Sequence, residues 1–248
     1  MDHNLELERL GTTSIITISR PAKKNALTLK MITGIGDALK AEHQSGATAV
    51  VLTGGTEIFS AGADLETIGH GATDIEIDDV IAELIAVIAD LPIPVIAAIE
   101  GACIGAALEI ALSCDVRVAS RTSSFSIPVV RLGILYRPDG IANIMANVGR
   151  ATATRLLVLG EAVFGADAVL AGIASHVVEP KETLSTALTL ARLSEENFPA
   201  AVSETKRLLV KLNSSSVDLS DLEQVRRELL SSEARIKAVA DLQARLGR

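Results

Sequence analysis

Short runs dense in Val, Ile and Ala alternate along this chain with longer stretches whose apolar residues recur every three to four positions. The runs Ser14–Ser19, Ala49–Thr53, Pro94–Ile99, Asp115–Ser120 and Ser175–Val178 predict strands. Helical periodicity is clearest over Leu27–Ala41, Ile77–Ala89, Ile104–Ser113, Ile141–Val148, Thr152–Leu159 and Lys181–Leu193, with Gly or Pro at several of the ends. The alternation predicts α/β structure. After Asn197 the character changes: Phe198–Leu212 and Val217–Leu246 carry only helical signals, with many i,i+4 charge pairs. The chain therefore divides into a mixed core, residues 1–196, and a helical region, residues 197–248, with Ser214–Ser216 as a hinge between helices. From Asp218 to Leu246, the residues Leu222, Val225, Leu229, Ile236, Val239 and Leu242 form one broad apolar stripe, to be covered by the protein's own core or by a neighbouring subunit.

Composition narrows the classes of function. The chain has 248 residues, and its 31 acidic against 23 basic residues leave a net charge of −8, which offers no positive field to a phosphate backbone. Hydrophobic residues make up 48% but aromatic ones 2%, so platforms for stacking bases are lacking as well. No nucleic-acid partner is expected. Met1–Thr13 is charged, and the most apolar stretch, Leu84–Ile99, is interrupted by Asp90, Pro92 and Pro94, so a soluble, cytoplasmic protein without a membrane partner is expected. Cys103 and Cys114 read as reduced core thiols. His3, His43, His70 and His176 are scattered without metal-ligand spacing, and no metal site is expected.

Two segments carry candidate chemistry. Glu109 is the only charged residue between Gly101 and Cys114. Burial raises a carboxyl pKa and poises it for proton transfer near neutral pH; the alternative is a glutamate that reaches a solvent edge or pairs with an arginine. Gly101, Gly105 and Ala106 open this helix directly after a strand, so its first N–H groups are available to developing negative charge, or small residues simply allow close packing. A second small-residue turn, F-S-A-G-A-D-L at Phe59–Leu65, also follows a strand. Asp64 suits a helix N-cap there, and the Ala63 N–H is the group able to do chemistry. Two such turns can aim two donors at one oxygen.

The string S-A-G-A-D-L, then P-V-I-A-A-I-E-G-A-C-I-G-A-A-L-E-I-A-L-S-C-D-V-R-V-A-S, then F-S-I-P-V-V-R-L-G-I-L resembles the enoyl-CoA hydratase/isomerase (crotonase) superfamily. The resemblance begins at R-P-A-K-K-N-A-L (Arg20–Leu27) and covers nearly the whole chain. It implies an α/β fold, a crotonase-like spiral of repeated β-β-α units with a C-terminal helical trimerisation region, assembled as a homotrimer or dimer of trimers. It implies an acyl-CoA substrate and no cofactor beyond the coenzyme A that enters with it. The Ala63 and Ala106 N–H groups would form an oxyanion hole for the thioester enolate, and Glu109 would be the acid/base. Lys23 and Lys24 would meet the CoA phosphates, and Ala26, Ala61, Asp64, Leu65, Gly105, Pro128, Val129 and Leu132 would complete the CoA-binding surface.

The chain departs from that pattern at one place. Family hydratases carry a second glutamate directly after the Pro of F-x-x-P, and here Pro128 is followed by Val129. Hydration needs two acid/base groups, so the loss lowers water addition by roughly two to four orders of magnitude unless a residue replaces it. Candidates lie in L-G-I-L-Y-R-P-D-G (Leu132–Gly140). Tyr136 resembles, by position, a tyrosine of a decarboxylase branch that acts on methylmalonyl-CoA, although that branch has a histidine where Ala63 stands. Asp139 lies in R-P-D-G, which reads either as a β-turn with Pro at its second position or as a catalytic carboxylate. Besides hydratase or isomerase activity, a Tyr136-dependent decarboxylase and an inactive acyl-CoA-binding homologue remain as alternatives.

Overall fold

The structure, a computed structural model, describes residues 3–66, 72–212 and 220–245. Its backbone falls into two compact units, Met1–Glu196 and Asn197–Arg248.

In the first unit a six-stranded sheet has the order β1 (Leu5–Leu10), β2 (Thr13–Ile18), β3 (Ala49–Thr53), β4 (Val95–Ile99), β6 (Val116–Ser120), β9 (His176–Val178). β1 and β2 form an antiparallel hairpin, and the remaining neighbours are parallel. β3 and β4 at the centre are buried at every position and apolar except for Thr53 because both faces are covered, and period-two alternation sends successive side chains to opposite cores. Val50, Leu52, Val95, Ala97 and Ile99 join the main cluster, while Ala49, Val51, Ile96 and Ala98 pack with Ala187 and Ala191 of α6 (Thr183–Arg192).

A second, three-stranded sheet has the order β5 (Ala102–Ile104), β7 (Ser124–Ser126), β8 (Val163–Phe164). In the large sheet β2, β3, β4 and β6 are each followed by a short extended piece in this second layer and then by a helix. Thus β4 leads to β5 and α3 (Ala106–Ser113), and β6 to β7 and α4 (Pro138–Leu157). Isolated bridges extend the layer: Leu27 pairs with Ala63 and Ser60 with Cys103, ahead of α1 (Leu29–Gln44) and α2 (Ala72–Asp90). This is a spiral of β-β-α units. The short helix α5 (Gly165–Ala168) follows β8.

Several expectations are corrected by packing. β5 is inserted between the strand and the helix that were expected to join directly at Gly101–Ala106, and α3 starts two residues later than its periodicity suggested. Thr28, accepting from the Met31 N–H, starts α1 at Leu29 instead of Leu27. The predicted helices Ile141–Val148 and Thr152–Leu159 both lie within α4, whose two helical segments are divided at Gly149 by its non-helical φ of 72° and ψ of 164°. The turn expected at R-P-D-G is its N-terminus: Pro138 occupies the first helical position, where its fixed φ and missing N–H cost nothing. β1, β7 and β8 were not anticipated.

The second unit consists of α7 (Pro199–Leu212), α8 (Ser220–Ser231) and α9 (Glu233–Arg245). The single helix expected over Val217–Leu246 is broken at Ser232, whose hydroxyl accepts from the Arg235 N–H and so starts a new helix. Val225, Leu229, Val239 and Leu242 line an apolar groove of about 670 Å³ within this unit, together with Leu208 and Leu212. The predicted hinge Ser214–Ser216 and Leu246 lie outside the described residues, as does the side chain of Leu222.

Candidate active site

Four segments of the first unit lie side by side through backbone hydrogen bonds. The Leu27 N–H donates to Gly62 O (2.8 Å) and the Asp64 N–H to Leu27 O (2.9 Å), which docks the Arg20–Leu27 loop on the Phe59–Asp64 turn. That turn meets β5 through the Ile104 N–H to Ser60 O (3.1 Å), and the Gly105 N–H donates to Ser126 O (2.8 Å), bringing the chain before Pro128 against the start of α3. Gly62 has φ +93°, and a Cβ there would stand 2.6 Å from Ile104 O and 3.7 Å from Ala106 N. Only glycine lets the two turns come this close. Gly105 caps α3 with φ 59° and ψ −123°.

Two donors result. The Leu27–Ala63 bridge uses the N–H groups of Leu27 and Asp64 but not that of Ala63, and Ala106 is the first helical residue of α3, whose N–H has no intrahelical partner. Among the described residues neither N–H meets an acceptor.

Glu109 lies in the first turn of α3 and is 1% exposed. Its Oε2 accepts from the Tyr136 hydroxyl at 2.5 Å, and its Oε1 accepts from Arg137 Nη2. Arg137 also donates from Nη1 to Asp78 O (2.5 Å), while its Nε is 3.6 Å from Asp139 Oδ1. Both alternatives weighed for this glutamate therefore coexist: it is buried and it pairs with an arginine. Desolvation raises the Glu109 pKa above the ordinary carboxyl range, opposed by the Tyr136 hydrogen bond and the Arg137 charge. Burial, with the neighbouring Glu109 charge, pushes the Tyr136 phenol well above its usual value. Gly140 closes the site from α4: a Cβ there would lie 2.9 Å from Glu109 Oε1.

The other expected residues are distributed as follows. Val129 sits in a 3₁₀ turn, Pro128–Leu132, half-buried against the main core, and Leu132 at its end is exposed. Asp139 is two-thirds exposed and reaches the site only through Arg137. Asp64 is buried, but its Oδ2 accepts from Arg20 Nη1 (2.6 Å) and its Oδ1 from the Glu66 N–H (3.1 Å). It caps a single turn and not the longer helix, because α2 begins at Ala72. Arg20 also donates to Ala26 O (3.1 Å), and the Ala61 N–H donates to Lys24 O (3.0 Å). Lys23 pairs with Glu66, and Lys24 is exposed at the left-handed end of a 3₁₀ turn. Leu65 is exposed, and His70 lies outside the described residues. Sequence reasoning missed Arg137 as a partner of Glu109; its only local signal was a cation next to Tyr136. It missed Asn25 too, whose amide donates to Gly54 O and Ile58 O (2.8 and 2.9 Å) and anchors the loop.

Among the described residues no group of three or more His, Cys, Asp or Glu side chains is placed to hold a metal ion, and no helix is long and apolar enough to cross a membrane. Cys103 and Cys114 are buried free thiols.

A family model described as enoyl-CoA hydratase/isomerase matches residues 9–238. The chain is 34% identical over 220 residues to the short-chain-enoyl-CoA hydratase of Clostridium acetobutylicum, covering 84% of this chain and 81% of that protein. It is 29% identical to the methylmalonyl-CoA decarboxylase of Escherichia coli, covering 90% and 88%. The solved structure of Pseudomonas aeruginosa DspI superimposes with a TM-score of 0.91 at 28% identity, covering 98% of this chain and 95% of that one. The spiral of β-β-α units with its helical C-terminal region is the crotonase architecture, and the chain belongs to the enoyl-CoA hydratase/isomerase (crotonase) superfamily. It is an enzyme of the lyase or isomerase type that acts on acyl-CoA thioesters.

Proposed function

We propose that this enzyme isomerises an enoyl-CoA through a thioester enolate, with Glu109 as the one carboxylate that takes and returns the proton. One observation carries the reading: Val129, apolar and half-buried on the core, stands where the family's second glutamate would be, while Glu109 is a buried carboxylate. Isomerisation needs a single base. Glu109 removes the α-proton, the C–H electron pair moves into the thioester to form a dienolate, and the oxygen is held by the Ala63 and Ala106 N–H groups. The protonated Glu109 then returns its proton at the γ-carbon. Each oxyanion donor is worth on the order of 3 kcal/mol in the transition state.

Lys23 and Lys24 meet the CoA phosphates, with Ala26, Ala61, Leu65, Gly105, Pro128, Val129 and Leu132 along the thioester arm. Asp64 acts through Arg20 by holding the loop that carries the lysines. The apolar groove of α7 to α9 supports assembly as a homotrimer or dimer of trimers. The buried free thiols support a cytoplasmic location.

A mass-spectrometric screen of short, medium and aromatic enoyl-CoA esters in D₂O tests the reading. A double-bond shift with deuterium uptake is expected, and Glu109→Gln depresses it by roughly 10²-fold or more while acyl-CoA binding is nearly intact. Water addition as the main reaction, or full activity of Glu109→Gln, overturns it. A second reading is favoured by the Tyr136–Glu109 hydrogen bond and the likeness to a methylmalonyl-CoA decarboxylase. Loss of CO₂ from a 2-carboxyacyl-CoA, abolished by Tyr136→Phe, identifies it.

A further inference from the structure

Arg137, which pairs with Glu109, lies outside the motif strings that carry the family resemblance. Arg137 is held from both sides. Its side chain is 12% exposed, its Nη1 is tied to the Asp78 carbonyl of α2, and its backbone is the N-cap of α4. From this anchorage Nη2 reaches Glu109 Oε1, while Tyr136 takes Oε2. Gly140 leaves room for the arrangement, since a Cβ there would come within 3.0 Å of Arg137 Nε and of Tyr136 Cε1.

We propose that Arg137 is the positioning residue of the reaction: gripped between α2 and α4, it keeps Glu109 in its carboxylate form and fixes the direction from which that carboxylate meets the substrate. The inference rests on Glu109 being the base. The physical need is plain, because a carboxylate on α3 with almost no solvent contact loses its hydration and favours the protonated, inactive form unless a cation faces it. The charged and titratable groups facing Glu109 are Tyr136, Arg137 and Asp139 from the start of α4, and Asp78 from α2 faces Tyr136. Of these Arg137 alone is positive; Asp139 opposes it from an exposed position.

Tyr136 makes the inference testable without a substrate. It is the single tyrosine in a chain that has no tryptophan, so tyrosine fluorescence reports one residue, hydrogen-bonded to the carboxylate in question. Its signal is followed against pH in wild type, Arg137→Met, Arg137→Lys and Glu109→Gln, with circular dichroism confirming that each is folded. The wild type is expected to show a step that Glu109→Gln removes. In Arg137→Met the step moves up by about 1–3 pH units, the range for removal of an adjacent opposite charge; Arg137→Lys, which keeps the charge without the fork, falls between. The pH limb of kcat for α-deuterium uptake moves in parallel, whereas loosened packing alone lowers kcat at every pH and moves no midpoint. An unmoved midpoint in both Arg137 variants overturns the proposal, as does a wild type without the step. A midpoint that moves as expected while Glu109→Gln turns over normally leaves the ion-pair assignment standing and overturns Glu109 as the base.

Discussion

Replacing Gly140 by alanine adds one methyl group to the most crowded point of the site. The added carbon would lie 2.9 Å from Glu109 Oε1, 3.0 Å from Arg137 Nε and 3.0 Å from Tyr136 Cε1. Ordinary carbon–oxygen contact needs about half an ångström more, and the carboxylate cannot retreat without releasing Arg137 or Tyr136, since both of its oxygens are engaged. Overpacking of this kind costs about 1–3 kcal/mol. Alanine is favoured over glycine in a helix by up to about 1 kcal/mol, which offsets part of the strain in the first turn of α4. The net loss of stability is therefore about 0–3 kcal/mol, a fall in Tm of at most about 12 °C for a chain of this size. Activity responds far more steeply, because displacing a catalytic group by a fraction of an ångström to 1 Å costs up to about 10²-fold. Thermal melting and α-deuterium uptake into butyryl-CoA, measured on the same preparation, separate the two effects. A folded Gly140→Ala with wild-type uptake would refute the reasoning, for it would mean that the Glu109 carboxylate is not confined.

Asp64→Asn is expected to destabilise the first unit by about 1–3 kcal/mol near neutral pH, because it removes the charge that Arg20 faces. The Asp64 pKa is held below its ordinary 3.8, chiefly by the Arg20 hydrogen bond, so this stability is present above that value and is lost as pH falls through the lowered one; denaturant melts at pH 6 and below pH 3 should show the gap closing. Charge reversal at both Lys23 and Lys24 should weaken CoA binding in calorimetry, with a difference that shrinks at high salt. Lys24→Glu alone should account for more of the loss than Lys23→Glu, since Lys23 must first leave Glu66.

Period and hydrophobicity, which depend on neighbours a few residues apart, made five strands of the large sheet and most of its helices legible. They also singled out Glu109, as the one charge in an apolar helix, and the two small-residue turns. What the sequence could not decide was every feature set by a partner distant along the chain. β5, β7 and β8 are two or three residues long, too short for a period, and exist because they pair with one another. R-P-D-G suits a turn and a helix start equally, since Pro has the same φ in both; packing of Gly140 on Glu109 selects the helix. Asp64 has the local signature of a helix cap, but its carboxylate answers chiefly to Arg20, 44 residues away in the chain. The contacts of Glu109 with Tyr136 and Arg137 span 27 and 28 residues and arise only when α4 folds back over α3. Sequence by itself thus determined which residues must leave water. The tertiary structure alone decided which charges meet there, because desolvation is written into local composition whereas ion pairing depends on geometry between separate elements.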